Sequence, residues 1–319
     1  MNTQTKVAII AIAVVITLAS LAVSQTNFNF ETSTSDDSKL QLVTSASFLH
    51  EFSQNIGKEK INSTLLVPMG INPHDWEPTI RDTEKLEKSD MIIINGLGYE
   101  NWVDSLELSN LQGVIVDTSN GIAIEHDDVH EKQDEHDGHE KEDERDEHDH
   151  GGQDPHIWLN PVYAQLQAKN IANALSNSDP TNKNYYQSNA EIYIKELDSL
   201  DSKIRTDLSG CRTDFITFHN AFSYFAEEYG LTQHTIVAST DPHGDVTPKT
   251  LEKIISTAKK LNIKVIFAEE STSIKTSQVI ADEIGGKVLV LSPLEVVSDE
   301  EDYVSKMTQN LENLREALC

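Results

Sequence analysis

Positive charge is scarce in this sequence: 25 Lys and Arg stand against 53 Asp and Glu, for a net charge of −28. Nothing here neutralises a phosphate backbone, so nucleic acid is excluded as a partner. An anionic membrane surface is equally disfavoured, whereas cations are attracted. Cysteine is nearly absent, with only Cys211 and the terminal Cys319. No lipid-modified cysteine is therefore expected near the N-terminus. In an exported protein the pair permits one disulfide, and the sequence leaves that pairing open.

Long hydrophobic runs are reduced to one. Residues 7–23 form 17 mostly apolar residues behind a short polar start with one lysine, and a polar stretch follows to about residue 38. Residues 1–24 read as a signal peptide or an N-terminal membrane anchor, and 25–38 as a polar linker. Seventeen residues lie at the short edge of a membrane span, so both readings stay open. Either way the expected location is extracytoplasmic, periplasmic or at the cell surface.

From residue 39 onward, short apolar runs alternate with helical patterns. Strands are expected at 40–44, 62–67, 91–95 and 114–117, with helices at 46–56, 78–88 and near 101–108. Such alternation specifies a parallel sheet covered on both faces. Residues 125–150 break the order, holding fourteen acidic residues, six histidines and three basic residues, with Val129 the one aliphatic side chain. A segment of that composition cannot offset its ordering entropy by burial and is expected to be a mobile loop. Its scattered histidines suit several weak, exchanging metal contacts rather than one preorganised site.

After the loop, residues 160–176 read as a helix. Asp179-Pro180 then opens a longer one, with Tyr186, Ala190, Tyr193, Leu197, Leu200, Ile204 and Leu208 repeating at four and three. A coiled-coil seam is one reading of that stripe; a rigid helix joining two lobes fits better, because strand–helix units resume beyond it. Strands are expected at 214–218, 235–238, 264–268 and 287–291, and helices near 221–229, 248–261, 277–284 and 301–318. The architecture is thus α/β: an N-terminal lobe over 39–178 containing the acidic loop 125–152, a linking helix over 179–208, and a C-terminal lobe over 209–319.

Six histidines lie outside the acidic loop. Of these, His74, His156 and His219 each follow an expected strand. Ligands of open α/β sheets gather beyond the carboxyl ends of strands, so the three imidazoles are expected to converge. Imidazole suits zinc, copper and nickel better than manganese or magnesium, and three histidines with a further position make a normal zinc arrangement. His50 and His234 read as structural, and His243 sits in a turn. Trp76 and Trp158, each two residues after a candidate ligand, read as packing beneath the loops.

The segments around these histidines are Pro-His-Asp-Trp-Glu-Pro (73–78), Asp-Pro-His-Ile-Trp-Leu-Asn-Pro (154–161) and Phe-His-Asn-Ala-Phe (218–222), with Val-Ile-Phe-Ala-Glu-Glu at 265–270. Together they resemble the solute-binding proteins of zinc and manganese ABC transporters, specifically the zinc-uptake (ZnuA-like) branch, over about residues 40–318. The resemblance implies two (β/α)4 lobes joined by a long rigid helix, with the metal site between the lobes. It also implies that His74, His156 and His219 are the metal ligands and that Zn2+ is the transported ion. The expected protein is a non-enzymatic, monomeric receptor that delivers zinc to an ABC transporter membrane permease. Histidine at the third position favours zinc where manganese proteins carry glutamate.

One departure stands out. Many members supply a fourth ligand from an Asp after the last strand, where this chain has Ser292 in Val-Leu-Ser-Pro-Leu-Glu (290–295). Water, Glu269, Glu270 or Glu295 are the alternatives for that place. Three rival functions remain: a manganese-binding member of the same family, an adhesin on the same fold, and a secreted zinc hydrolase. Against the last, the chain has no His-Glu-x-x-His pattern.

Overall fold

A computed structural model describes residues 39–68, 71, 73, 76–123, 153–240, 242, 246–270, 274–295 and 302–319. The N-terminal segment 1–38, the acidic loop, His74 and His243 all fall outside that set. Among the described residues no helix is long and apolar enough to cross a membrane.

Two four-stranded parallel sheets organise the chain. The first contains β1 (Leu40–Thr44), β2 (Ile61–Leu65), β3 (Met91–Ile94) and β4 (Val114–Asp117) in the order β2-β1-β3-β4. The second repeats this order as β6-β5-β7-β8, with β5 (Asp214–Thr217), β6 (Thr232–Thr235), β7 (Val265–Ala268) and β8 (Lys287–Val290). Helices α1 (Ser47–Gly57), α2 (Ile80–Lys88) and α3 (Pro161–Ser178) accompany the first sheet. The second half carries α5 (Ser223–Glu228), α6 (Pro248–Leu261), α7 (Ile274–Ile284) and α8 (Tyr303–Leu318), and α4 (Lys183–Asp207) connects the halves.

The central strands β3 and β7 are buried throughout, as strands covered on both faces must be. Strand β6 corrects an expectation. The ladder uses the polar Thr232–Thr235 beside β5, three residues ahead of the expected 235–238. The apolar Ile236 and Val237 follow as a buried exit from the edge strand. At 101–108 a helix was expected, and 3-10 turns form instead at Asn101–Ser105 and Leu108–Asn110.

Helix α4 buries Tyr186, Ala190, Tyr193, Leu197, Leu200 and Ile204 along one stripe. A single 3-10 turn, Pro180–Asn182, precedes it, and Asp179 caps that turn while accepting from Tyr186 Oη at 2.8 Å. Its buried stripe packs against α1 and α3 on one side and α8 on the other. One apolar cluster consequently runs through both halves, from Leu42, Phe48 and Phe52 through Tyr193 and Leu197 to Phe215, Phe267 and Met307. Each large side chain drawn out of such a core costs about 1.5–3 kcal/mol. Wide hinge opening is thereby disfavoured.

Cys211, just beyond α4, and Cys319, at the end of α8, form a disulfide with a Cα–Cα distance of 4.7 Å. The open question of their pairing is answered at the amino-terminal edge of the second sheet.

Glu51 joins the halves by polar contacts. It lies on α1 and accepts from the backbone N–H of Tyr303 at 2.8 Å and from Tyr193 Oη at 3.4 Å. Burial pushes its carboxyl up to about 7. A carboxyl whose folded pKa lies above its unfolded value, 4.5 here, supports the fold fully below the unfolded value. That support disappears as pH rises through about 7. Glu51→Gln should therefore flatten the decline in stability across this window, read as urea midpoints of the metal-free protein at a series of pH values. Parallel profiles for the two proteins would contradict the assignment.

Candidate metal site at the carboxyl edges of the sheets

In each sheet the strand order reverses beside the first strand of its half, and such switch points gather ligands. His219 comes two residues after β5 and Glu269 directly after β7, the two strands flanking the second switch point. Oε1 of Glu269 accepts both the backbone N–H of His219, at 3.2 Å, and its ring Nδ1–H, at 2.7 Å. The ring is fully buried and its Nε2 is turned outward from that carboxylate.

His156 is built the same way on the other side. Asp154 Oδ1 accepts its backbone N–H at 3.0 Å and its Nδ1–H at 2.7 Å. The arm bearing it is held from both halves. Asn95, after β3, donates to Pro155 O at 2.8 Å. From α5, Tyr224 Oη donates to Asp154 O at 2.8 Å and Ser223 Oγ donates to Asp154 Oδ2. A carboxylate behind each imidazole fixes the tautomer, aims Nε2 and raises its basicity as a ligand.

The two Nε2 atoms lie 3.3 Å apart, and Oε1 of Glu295 lies 3.1 Å from that of His156. Ligand atoms of His156, His219 and Glu295 all fall within 4.8 Å of one another, and all three residues are buried. A tetrahedral zinc ion with bonds of roughly 2.0–2.1 Å needs ligand atoms roughly 3.3 Å apart, which the 3.3 Å and 3.1 Å spacings about His156 match. Burial alone would lower the pKa of His156, but its hydrogen bonds and charge interactions with Asp154 and Glu295 outweigh that and raise it to about 9. A cation taking Nε2 therefore displaces a proton at neutral pH.

Of the residues singled out from sequence, the structure brings His156 and His219 together; His74 lies outside the described residues. Among the alternatives for a further ligand, Glu295 reaches the cluster. Glu269 stands behind His219, and exposed Glu270 pairs with Lys306 at 3.5 Å. Ser292 is buried, its hydroxyl accepting the Leu294 N–H at 3.2 Å. His50 bonds Ser63 Oγ at 2.9 Å and His234 pairs with Asp214 at 2.8 Å, both away from the cluster. Trp158 packs as expected, stacked on Phe48 at 4.4 Å. Sequence reasoning did not find the orienting roles of Asp154 and Glu269. Asp154 carried a signal, sitting two residues before a candidate ligand; Glu269, fifty residues from its histidine, carried only its place after a strand.

Fold and site define a class: a two-lobed α/β protein with a buried histidine–carboxylate cluster at the carboxyl edges of its parallel sheets. The chain belongs to the family described as zinc-uptake complex component A, periplasmic, whose model matches residues 42–317. It is 41% identical over 292 residues to the high-affinity zinc uptake system protein ZnuA of Bacillus subtilis, covering 89% of each chain. To the zinc-binding protein AdcA of Streptococcus pyogenes it is 32% identical over 294 residues, covering 88% of this chain and 56% of that one. The chain thus spans about half the length of that longer relative. The crystal structure of the metal-dependent lipoprotein YcdH from Bacillus subtilis superposes with a TM-score of 0.73 at 37% identity, covering 88% of this chain and 99% of that one.

Proposed function

We propose that this protein is an extracytoplasmic receptor that captures Zn2+ and delivers it to the membrane permease of an ABC importer, without catalysis. His156 and His219 bind the ion through Nε2 and Glu295 through Oε1, and His74 supplies the remaining ligand. The observation that carries the reading is the approach of two carboxylate-backed Nε2 atoms to 3.3 Å, with a buried carboxylate oxygen 3.1 Å from one of them. Family membership supports zinc as cargo and an importer as partner. Residues 1–24 serve as the export signal or anchor. The lobes 39–178 and 209–319 act with the linking helix 179–208 as one body, so metal-dependent change is local.

The ligand set argues for zinc over manganese. Imidazole nitrogens dominate it, whereas manganese favours an oxygen-rich shell. In competition titrations of the purified protein, zinc is expected to displace manganese completely at equal concentrations, at one tight site per chain. Equal occupancy by the two ions, or tight manganese binding that zinc does not displace, would overturn the choice of cargo.

A further inference from the structure

Glu295 lies on no regular element. Strand β8 ends at Val290, and the carboxylate follows five residues later through Leu291, Ser292, Pro293 and Leu294. That turn is gripped from two directions. Asn310, on the buried face of α8, accepts the Ser292 N–H at Oδ1 (2.8 Å) and donates from Nδ2 to Ser292 O (2.7 Å). Trp158 donates its Nε1–H to Pro293 O at 2.8 Å. Directly after these clamped residues, and directly before Glu295, Leu294 is held at φ 59°, a left-handed backbone that leucine rarely adopts. Trp158, Ser292, Leu294, Glu295 and Asn310 are all buried.

The positions of the two clamps are informative. Trp158 is two residues beyond His156, and Pro293 two residues before Glu295, so one buried hydrogen bond joins the arms that carry two of the ligands. The same helix that grips Ser292 also reaches the other arm, since Tyr303 Oη donates to Trp158 O at 2.6 Å. Neither Trp158 nor Asn310 offers an atom to the ion. Within the turn the Leu294 N–H is held only by Ser292 Oγ, at 3.2 Å, so the two clamps are what tie the left-handed turn to α8 and to the His156 arm. Relaxing that turn to an ordinary conformation would swing Glu295 away from His156.

We propose that Trp158 and Asn310 are positioning residues for zinc capture, holding the Glu295 carboxylate against His156 before the ion arrives and acting on the ion only through Glu295. The proposal rests on the reading of Glu295 as a ligand. An outer contact that orients a metal ligand is typically worth about 10- to 100-fold in affinity, and preordering of this arm should appear as slow dissociation.

A double-mutant cycle on the full chain tests it, with zinc affinity and dissociation read by chelator competition and the ligand set by the visible spectrum of the cobalt(II)-loaded protein. Trp158→Phe keeps an aromatic ring but removes the N–H together with part of the buried indole, a packing loss that is common to both backgrounds of the cycle. It is expected to weaken zinc binding about 10- to 100-fold and to shift the cobalt spectrum toward that of Glu295→Ala. In the Glu295→Ala background the same change should cost less than about twofold. Asn310→Ala should behave alike; if it does not fold, the Trp158 cycle decides alone. An equal loss in both backgrounds, or no loss in either, overturns the positioning role. Native affinity in Glu295→Ala itself overturns the ligand reading, a separate failure from that of the cycle.

Discussion

Replacing His156 with alanine is expected to lower zinc affinity by about a thousandfold or more, since losing a ligand must exceed the about 10- to 100-fold loss of an outer contact. The variant should still fold, because the arm that carries it is anchored independently. Asn95 holds Pro155 O, Tyr224 holds Asp154 O and Trp158 holds Pro293 O, none through the imidazole. The removed ring also neutralised its surroundings: protonated His156 faces both Asp154 and Glu295. Chelator competition should report the lost affinity while circular dichroism of the metal-free variant stays native. Retention of nanomolar zinc binding by a folded His156→Ala protein would remove this residue from the ligand set.

The second large effect concerns stability. Cys211 and Cys319 are 108 residues apart, and their disulfide encloses the second half of the molecule. For a loop of that size the constraint on the unfolded chain is worth about 4–5 kcal/mol. Converting both cysteines to serine should lower the unfolding free energy by that amount, seen as a lower denaturation midpoint, and reductant should move the native protein to the same midpoint. Zinc affinity of the folded variant should stay unchanged. The bond sits before the start of β5, whereas His219 follows the other end of that strand. A midpoint insensitive to reductant and to the substitutions would mean that the disulfide does not form in solution. The bond suits a protein that works outside the reducing cytoplasm.

Much of the fold was legible because local signals and tertiary demand agree. Strand β4 and helix α6 occupy the expected residues. For α6 the reason is visible: Thr247 accepts the Thr250 N–H at 3.1 Å, Pro248 opens the first turn, and Asn262 ends it in the left-handed conformation. Strand β6 was misplaced because apolar content marks burial rather than ladder position. Its polar residues Thr232, Gln233, His234 and Thr235 pair with β5, while the more apolar Ile236 and Val237 lie past the strand's end, donating to Thr217 O at 3.1 Å and Phe218 O at 2.8 Å.

The site divides along the same line. His219, just after β5, can be found from topology, because the carboxyl edge of a parallel sheet is where side chains converge; His156, in the long connection after β4, is found from its motif. Glu295 could be named only as one of several candidates. Its approach depends on a left-handed Leu294 and on an asparagine fifteen residues later in the chain. No local pattern encodes that. The two orienting carboxylates differ for the same reason: Asp154 is a neighbour of His156 in sequence, and Glu269 is a neighbour of His219 only in the folded sheet.

Anomalous diffraction at the zinc edge from crystals of the loaded protein would be the most direct examination. The ion should appear between the lobes, about 2.0–2.2 Å from Nε2 of His156, Nε2 of His219 and a carboxylate oxygen of Glu295, with His74 closing the shell. An ion bound elsewhere, or one that touches neither His156 nor His219, would contradict the assignment of this pocket as the capture site.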